Sequence, residues 1–170
     1  MSAKLWKAID PANDVVDVKF LNIVEQLKTS SESVSGEIVV GDLRIRRLTL
    51  LILLVEHHLI CHLKYILKES GLAFDINEQT EKGQTALERS IEMGCVDCLT
   101  LLLEAGAQTD ICSQTYKDSI DNGTFLHGLC RANRVECVEI LLQHDVDVNA
   151  VDNRQRIALH YAQNGQIAKK

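Results

Sequence analysis

The apolar residues of this chain recur in two blocks that can be laid over each other. Residues 85–107 read TALERSIEMGCVDCLTLLLEAGA, and residues 124–146 read TFLHGLCRANRVECVEILLQHDV. A shift of 39 residues, from 85 to 124, brings their apolar positions into register, so that Leu102 falls on Leu141. Within each block these positions are three or four residues apart, which predicts two short amphipathic helices joined by a turn. A repeat of this length is typical of a stacked solenoid.

The same template extends to both sides of these blocks. It overlays on residues 49–67 after a shift of 36 residues and, in part, on 157–166 after a shift of 33. The excess spacing falls after the second helix of a unit, at 72–75 and 112–121, as expected of loops on one face of a solenoid. The predicted helices are 47–56 with 59–69, 85–93 with 95–105, 124–132 with 135–143, and a single first helix over 157–163.

The N-terminal part departs from this template. Residues 4–27 have helical periodicity, which predicts a helix pair that caps the stack. Residues 29–42 are rich in Ser, Gly and Glu, which favours an irregular connection, in which residues 37–40 could form a short extended arm. The predicted organisation is an N-terminal helical cap or degenerate first repeat over 1–28, an exposed loop over 29–46, and repeats over 47–79, 80–118, 119–151 and, incompletely, 152–170.

Composition narrows the classes of function. The net charge is −6 and aromatic residues make up 4% of the 170 residues, which argues against a nucleic-acid-binding protein, since these need a basic surface. The longest apolar run, residues 48–55, is too short to cross a bilayer, so we expect no membrane insertion. The N-terminus lacks an apolar signal sequence, and the six cysteines are expected to be reduced, which favours the cytoplasm or the nucleus. The oligomeric state cannot be predicted.

Two groups of residues could bind a metal. Cys95 and Cys98 form a C-x-x-C motif, and His58 and His62 are four residues apart on a predicted helix. However, Cys98 occupies the same repeat position as Cys137 and His62, which indicates a packing position. No second C-x-x-C, no H-E-x-x-H and no phosphate-binding glycine loop is present. We therefore predict no metal, no cofactor and no catalytic residue.

The repeats share a set of positions that form a recognisable pattern: Gly83, Thr85, Leu87, Gly94, 101–103, Gly106 and Ala107, then Thr124, Leu126, His127 and 146–149, then Asp152, 158–160, Ala162 and Gly165, with 75–77 closing the unit before them. At these positions the repeats resemble the ankyrin repeat family, whose pattern runs D-x-x-G-x-T-P-L-H-x-A-x-x-x-G, then a second helix, then G-A-D-x-N. The family proline is absent, replaced by Leu50, Ala86, Phe125 and Ala158, and the glycine that ends the second helix is matched by Gly106 alone, with Ser70 and Asp145 in that place.

The resemblance implies an all-α solenoid of stacked helix–turn–helix units with β-hairpin-like loops. It also implies that His127 and His160 connect a loop to a first helix. Ankyrin proteins bind with their loop tips and with the concave face of the first helices, which implies a protein–protein interaction module acting as a scaffold, an adaptor or an inhibitor. The partner-binding residues carried over in this way are Glu81, Lys82, Gln84, Glu92, Met93, Asp121, Arg131, Asn153, Arg154 and Arg156.

Acidic tip residues on the middle unit and basic ones toward the C-terminus predict a partner protein or peptide with a basic segment followed by an acidic one. Two other classes of function remain open. The chain could be an ankyrin segment of a larger multidomain enzyme or channel, or a module that binds metal through its histidines and cysteines.

Overall fold

The computed structural model describes residues 15–16, 18–29, 37–40, 43–71, 75–110 and 121–162, and the chain divides into two compact units, Met1–Asp75 and Ile76–Lys170. The first unit contains helix α1 (Val18–Thr29), strands β1 (Glu37–Val40) and β2 (Leu43–Arg46), helix α2 (Arg47–Glu56), and helix α3 (Ile60–Lys64), which continues as a π-helix (Tyr65–Glu69). The second contains helices α4 (Ala86–Met93), α5 (Val96–Glu104), α6 (Phe125–Arg131) and α7 (Val135–Leu141) and a 3₁₀ helix (Ala158–Tyr161).

The predicted helix pairs are confirmed. In the second unit α4 contacts α5 and α6, α5 contacts α7, and α6 contacts the 3₁₀ helix, which is the arrangement of a stack of helix–turn–helix repeats. Equivalent apolar positions of the second helices are buried in each repeat, as the register predicts. These positions are Leu63, Leu99 and Val138, and, three residues further on, Ile66, Leu102 and Leu141.

The turn between the two helices has the same geometry in all three repeats. His58, Gly94 and Asn133, which are equivalent in the repeat register, have φ values of 53°, 67° and 55°. In each case the N–H of the next residue donates to the carbonyl five positions earlier, at 2.9 or 3.0 Å, which closes the first helix. His58 therefore takes the place of Gly94 in the first repeat.

The second helix of the first repeat ends one residue later than the register predicts. The π-helix accommodates one extra residue, with the N–H of Ser70 donating to the carbonyl of Tyr65 at 2.8 Å. Gly71, with φ of 68°, is therefore the left-handed residue, and Ser70 has helical φ and ψ. The prediction that Ser70 and Asp145 replace the left-handed glycine is wrong for both, because Asp145 does not have a positive φ.

Within the predicted loop over 29–46, residues 37–40 are extended, as the sequence allowed, and they pair with residues 43–46 in an antiparallel β-hairpin that was not predicted, with Glu37 opposite Arg46 and Val40 opposite Leu43. The sequence does carry a hairpin signal here, since Gly and Asp stand alone between two runs rich in Val, Ile and Leu. In the last repeat the predicted first helix is shorter than expected, a four-residue 3₁₀ helix. The predicted insertion at 112–121 lies, up to residue 120, outside the described residues, as do residues 1–14 and 163–170.

Candidate functional site

Residues 80–84 and 152–156 of the second unit form loops with the same backbone geometry. In each loop the N–H of the first residue donates to the carbonyl of the fifth, at 2.9 and 3.0 Å, and the N–H of the fourth donates to the carbonyl of the first, at 2.7 and 3.0 Å. The side chain of the first residue completes the turn, since Thr80 Oγ1 accepts from the N–H of Gln84 (3.1 Å) and Asp152 Oδ1 from that of Arg156 (2.9 Å). We call these loops, together with residues 121–124, the tips.

The fourth residue of each tip loop has a left-handed backbone. Gly83, Asn122 and Gln155 are equivalent in the repeat register, and their φ values are 76°, 60° and 58°. Glycine adopts this conformation without steric cost and asparagine tolerates it, whereas glutamine has no such advantage. The tip geometry is therefore kept in the third tip at the cost of backbone strain.

Each tip is fixed to the first helix that follows it. Thr85 Oγ1 accepts from the N–H of Glu88 at 3.1 Å and caps α4. In the next repeat Nδ1 of the buried His127 accepts from the N–H of Thr124 at 3.1 Å, so Nε2 carries the proton and donates to the carbonyl of Arg156 at 3.0 Å. Likewise His160 Nδ1 accepts from the N–H of Ile157 at 3.2 Å. Both histidines thus have the connecting role that the resemblance implies.

Ion pairs connect the tip at 121–124 to the tip at 152–156. Asp121 Oδ2 lies 3.2 Å from Nε of Arg154 and 2.9 Å from Nη2 of Arg156. The backbone adds a hydrogen bond of 2.8 Å from the N–H of Asn153 to the carbonyl of Asp121. Two consecutive tips are therefore held against each other by both side-chain and backbone contacts.

Asp152 is the centre of this polar network. Its side chain is completely buried, and its Oδ2 lies 2.8 Å from Nη2 of Arg156. The carboxylate also accepts hydrogen bonds from the Tyr161 hydroxyl and from the backbone N–H groups of Arg154 and Arg156. Burial alone would raise the pKa of Asp152, but hydrogen bonds from Tyr161 and from the Arg156 backbone and guanidinium outweigh it and hold this pKa well below its usual range. Burial, and the hydrogen bond to Asp152, raise the pKa of Tyr161.

The Tyr161 ring also lies under the Arg156 guanidinium, with Cζ 4.5 Å from the ring centroid, and meets the His127 ring edge-on at 5.8 Å. Among the described residues, no buried side-chain nitrogen or oxygen lacks a hydrogen-bond partner. The polar groups of this network thus bond one another, which is typical of a structural network. No sequence pattern pointed to Tyr161 or to a role for the Asp152 side chain, although Asp152 stands at the first position of the D-x-x-G loop pattern that the repeats resemble.

The structure distributes the predicted binding residues over the tips and the ends of the first helices. Glu92 at the end of α4 accepts from Nε2 of Gln84 at 2.8 Å and from Nη1 of Arg89 at 3.1 Å, so this helix end contacts the tip beside it. Met93 is 37% exposed. The exposed members of the predicted set are Glu81, Lys82, Glu92, Met93, Arg131, Asn153 and Arg154, and the partly buried ones are Gln84, Asp121 and Arg156.

The histidines and cysteines that could bind a metal have structural roles in their own repeats. Sγ of Cys95 accepts from the N–H of Cys98 at 3.4 Å and caps α5, while Cys98 is completely buried, as predicted for a packing position. His62 is buried and its ring meets Phe20 edge-on at 4.5 Å. His58 is exposed in the left-handed turn, so the two histidines of the predicted pair differ in exposure. None of the described helices has both the length and the apolar character needed to cross a bilayer.

Comparison with known proteins agrees with this geometry. Residues 109–169 match the family model of ankyrin repeats (3 copies). The structure is similar to the crystal structure of the ankyrin repeat domain of Bcl-3, described as a unique member of the IkappaB protein family, with a TM-score of 0.60 and 20% sequence identity over 78% of this chain and 57% of that chain.

At this identity the likeness to the Bcl-3 domain shows the fold alone, and this chain spans little more than half of that chain's length. Comparison with curated proteins finds no match. The repeated helix pairs, the tip loops and the buried loop histidine are those of an ankyrin-type fold, and residues 109–169 match the family model of ankyrin repeats.

Proposed function

We propose that this chain binds a partner protein or peptide through its tips and the ends of its first helices, as a scaffold, an adaptor or an inhibitor in the cytoplasm or the nucleus. Solenoid repeats in general offer extended surfaces to protein partners. The observation that carries the proposal is the contrast within each tip, where the backbone is fixed by turn hydrogen bonds while side chains such as Lys82, Asn153 and Arg154 are exposed. A surface that is already ordered loses little conformational entropy when it binds.

The test is affinity capture from the native cell, followed by measurement of affinity with the purified partner. A tip variant, Lys82→Ala with Asn153→Ala and Arg154→Ala, is compared with a control variant, Asp97→Ala with Glu136→Ala, which changes exposed residues of the second helices. We expect the parent and the control to capture the same partner and the tip variant to bind it at least about tenfold more weakly. Equal affinity of all three proteins for the partner would contradict the proposal.

Two alternatives have their own tests. If the chain is the ankyrin segment of a larger enzyme or channel, immunoblots of the native cell will show a product much longer than 170 residues. If the chain is a metal module of the histidines and cysteines, elemental analysis of the purified protein will find about one zinc per chain. Either result would replace the corresponding part of the proposal.

A further inference from the structure

The charged side chains of the two tips at 121–124 and 152–156 differ in their exposure to solvent. The Asp152 side chain is completely buried, so its negative charge is compensated inside the network. Asp121 is 35% exposed, Arg156 is 32% exposed and Arg154 is 64% exposed. Two carboxylates and two guanidinium groups balance in this network, and the most exposed of the four charged side chains is that of Arg154.

Arg154 and Arg156 have different surroundings. Nη2 of Arg156 lies within bonding distance of Asp121, Asp152 and the Tyr161 hydroxyl, and its Nε donates to Asp152 at 3.0 Å. Arg154 is held at one edge only, through Nε and Nη2, which contact Asp121 at 3.2 and 3.4 Å. Among the described residues Nη1 of Arg154 has no hydrogen-bond partner, so this guanidinium is oriented yet still has donors to offer.

Building on the proposed function, we infer that these two tips form one preorganised surface that binds an acidic side chain of the partner protein through Arg154. A carboxylate of the partner would accept charge-assisted hydrogen bonds from a guanidinium that Asp121 already orients, so little side-chain entropy is lost. The exposed guanidinium of Arg154 also attracts an acidic segment. Arg156 is a positioning residue, because its Nε and Nη2 contact Asp152, Asp121 and the Tyr161 hydroxyl and its side chain is half as exposed as that of Arg154.

Tyr161 and Asp152 are further positioning residues in this arrangement. They hold Arg156, Arg156 holds Asp121, and Asp121 orients Arg154. The backbone hydrogen bond from Asn153 to Asp121 joins the same two tips. Removing the Tyr161 hydroxyl should therefore weaken binding at Arg154, although Tyr161 itself does not contact the partner.

The test uses the full chain and a hexaglutamate peptide, followed by NMR of the backbone amides and of the arginine Nε–Hε groups at neutral pH and low salt. We expect the peptide to shift the Arg154 Nε–Hε and Asn153 amide signals, and hexalysine to leave them unchanged. Arg154→Gln should weaken hexaglutamate binding about tenfold, and Lys64→Gln, which removes one exposed charge of the first unit, should leave it unchanged.

Tyr161→Phe keeps the ring and removes only the hydroxyl, so it tests the positioning role. We expect weaker hexaglutamate binding, a moved Arg154 Nε–Hε signal and faster hydrogen exchange of the Asn153 amide. The inference is overturned if hexaglutamate shifts signals elsewhere but not at Arg154 and Asn153, or if Tyr161→Phe leaves affinity and exchange unchanged. Either outcome would leave the proposed function intact if the native partner still depends on the tips, whereas a partner indifferent to the tip variant would refute that function by itself.

Discussion

Gln155 is strained in the native structure, so replacing it with glycine should stabilise the protein. Its φ of 58° is in the left-handed region, and the equivalent residue of an earlier tip is Gly83 with φ of 76°. Gln155 is exposed, so the substitution removes no packing. Its backbone N–H donates to the carbonyl of Asp152 at 3.0 Å, and glycine retains that hydrogen bond.

The expected magnitude follows from two opposing contributions. A non-glycine residue in the left-handed region costs about 1–2 kcal/mol of strain, which Gln155→Gly removes. Glycine also makes the unfolded chain more flexible, which costs roughly 0.5–1 kcal/mol. We therefore expect a net gain of about 0.5–1 kcal/mol in the free energy of unfolding. Asn122→Gly should gain less, because asparagine tolerates its φ of 60° better than glutamine does.

The assay is urea unfolding followed by circular dichroism, together with hydrogen exchange of the Arg156 amide, which donates to Asp152 Oδ1 at 2.9 Å. The matched control is Asn153→Gly in the same loop, where φ is not positive, so only the entropy cost applies and stability should fall. If Gln155→Gly is neutral or destabilising while Asn153→Gly behaves as expected, the strain argument for this tip is refuted.

Three further predictions concern the cap of α4, the buried carboxylate and the cysteines. Thr85→Ala should lower the free energy of unfolding in urea by about 1 kcal/mol, because the N–H of Glu88 loses its acceptor; no change would mean that another group satisfies it. The pKa of Asp152 in the folded protein lies below its unfolded value near 4, so its contribution to stability is present above about pH 4 and is lost as the pH falls. The free energy of unfolding should therefore decrease less steeply with falling pH in Asp152→Asn than in the parent protein. Equal slopes would refute this. Burial raises the pKa of the Cys130 thiol, so iodoacetamide should alkylate the exposed Cys61 first, and peptide mapping that finds the reverse order would contradict the fold.

The helix pairs could be predicted from the sequence because their burial is periodic. A second helix that packs on its neighbours must bury the same positions in each repeat. Leu102 and Leu141 are both leucines and both buried, so their apolar character is enough to identify them as equivalent positions. The turn between helices follows from the same register, in which His58 is equivalent to Gly94. Apolar spacing thus determines both the helices and the short connection between them.

Features that change the register by one residue, or that use another period, were not predictable in this way. The π-helix at Tyr65–Glu69 adds one residue without disturbing the apolar positions before it. A fixed shift therefore predicted Ser70 as the left-handed residue that ends the helix, whereas that residue is Gly71. The β-hairpin has a period of two and lies outside the repeats, where its Ser- and Gly-rich flank favoured a loop. The first error comes from applying one fixed shift to a segment that holds an extra residue, and the second from weighing the composition of the flank above the apolar residues at 38–40.

The ion pair between the tips shows which part of the site the register could have predicted. Asp121 and Arg154 are related by the 33-residue shift, so they occupy equivalent positions in consecutive repeats, and equivalent positions are neighbours in a stack. Opposite charges at such positions predict a pair across the stack, just as opposite charges do on adjacent strands. Arg156 and Tyr161 have no such relation to Asp121, and their roles depend on side-chain directions that the register does not contain. The division between Arg154 as a contact residue and Arg156 as a positioning residue therefore required the structure.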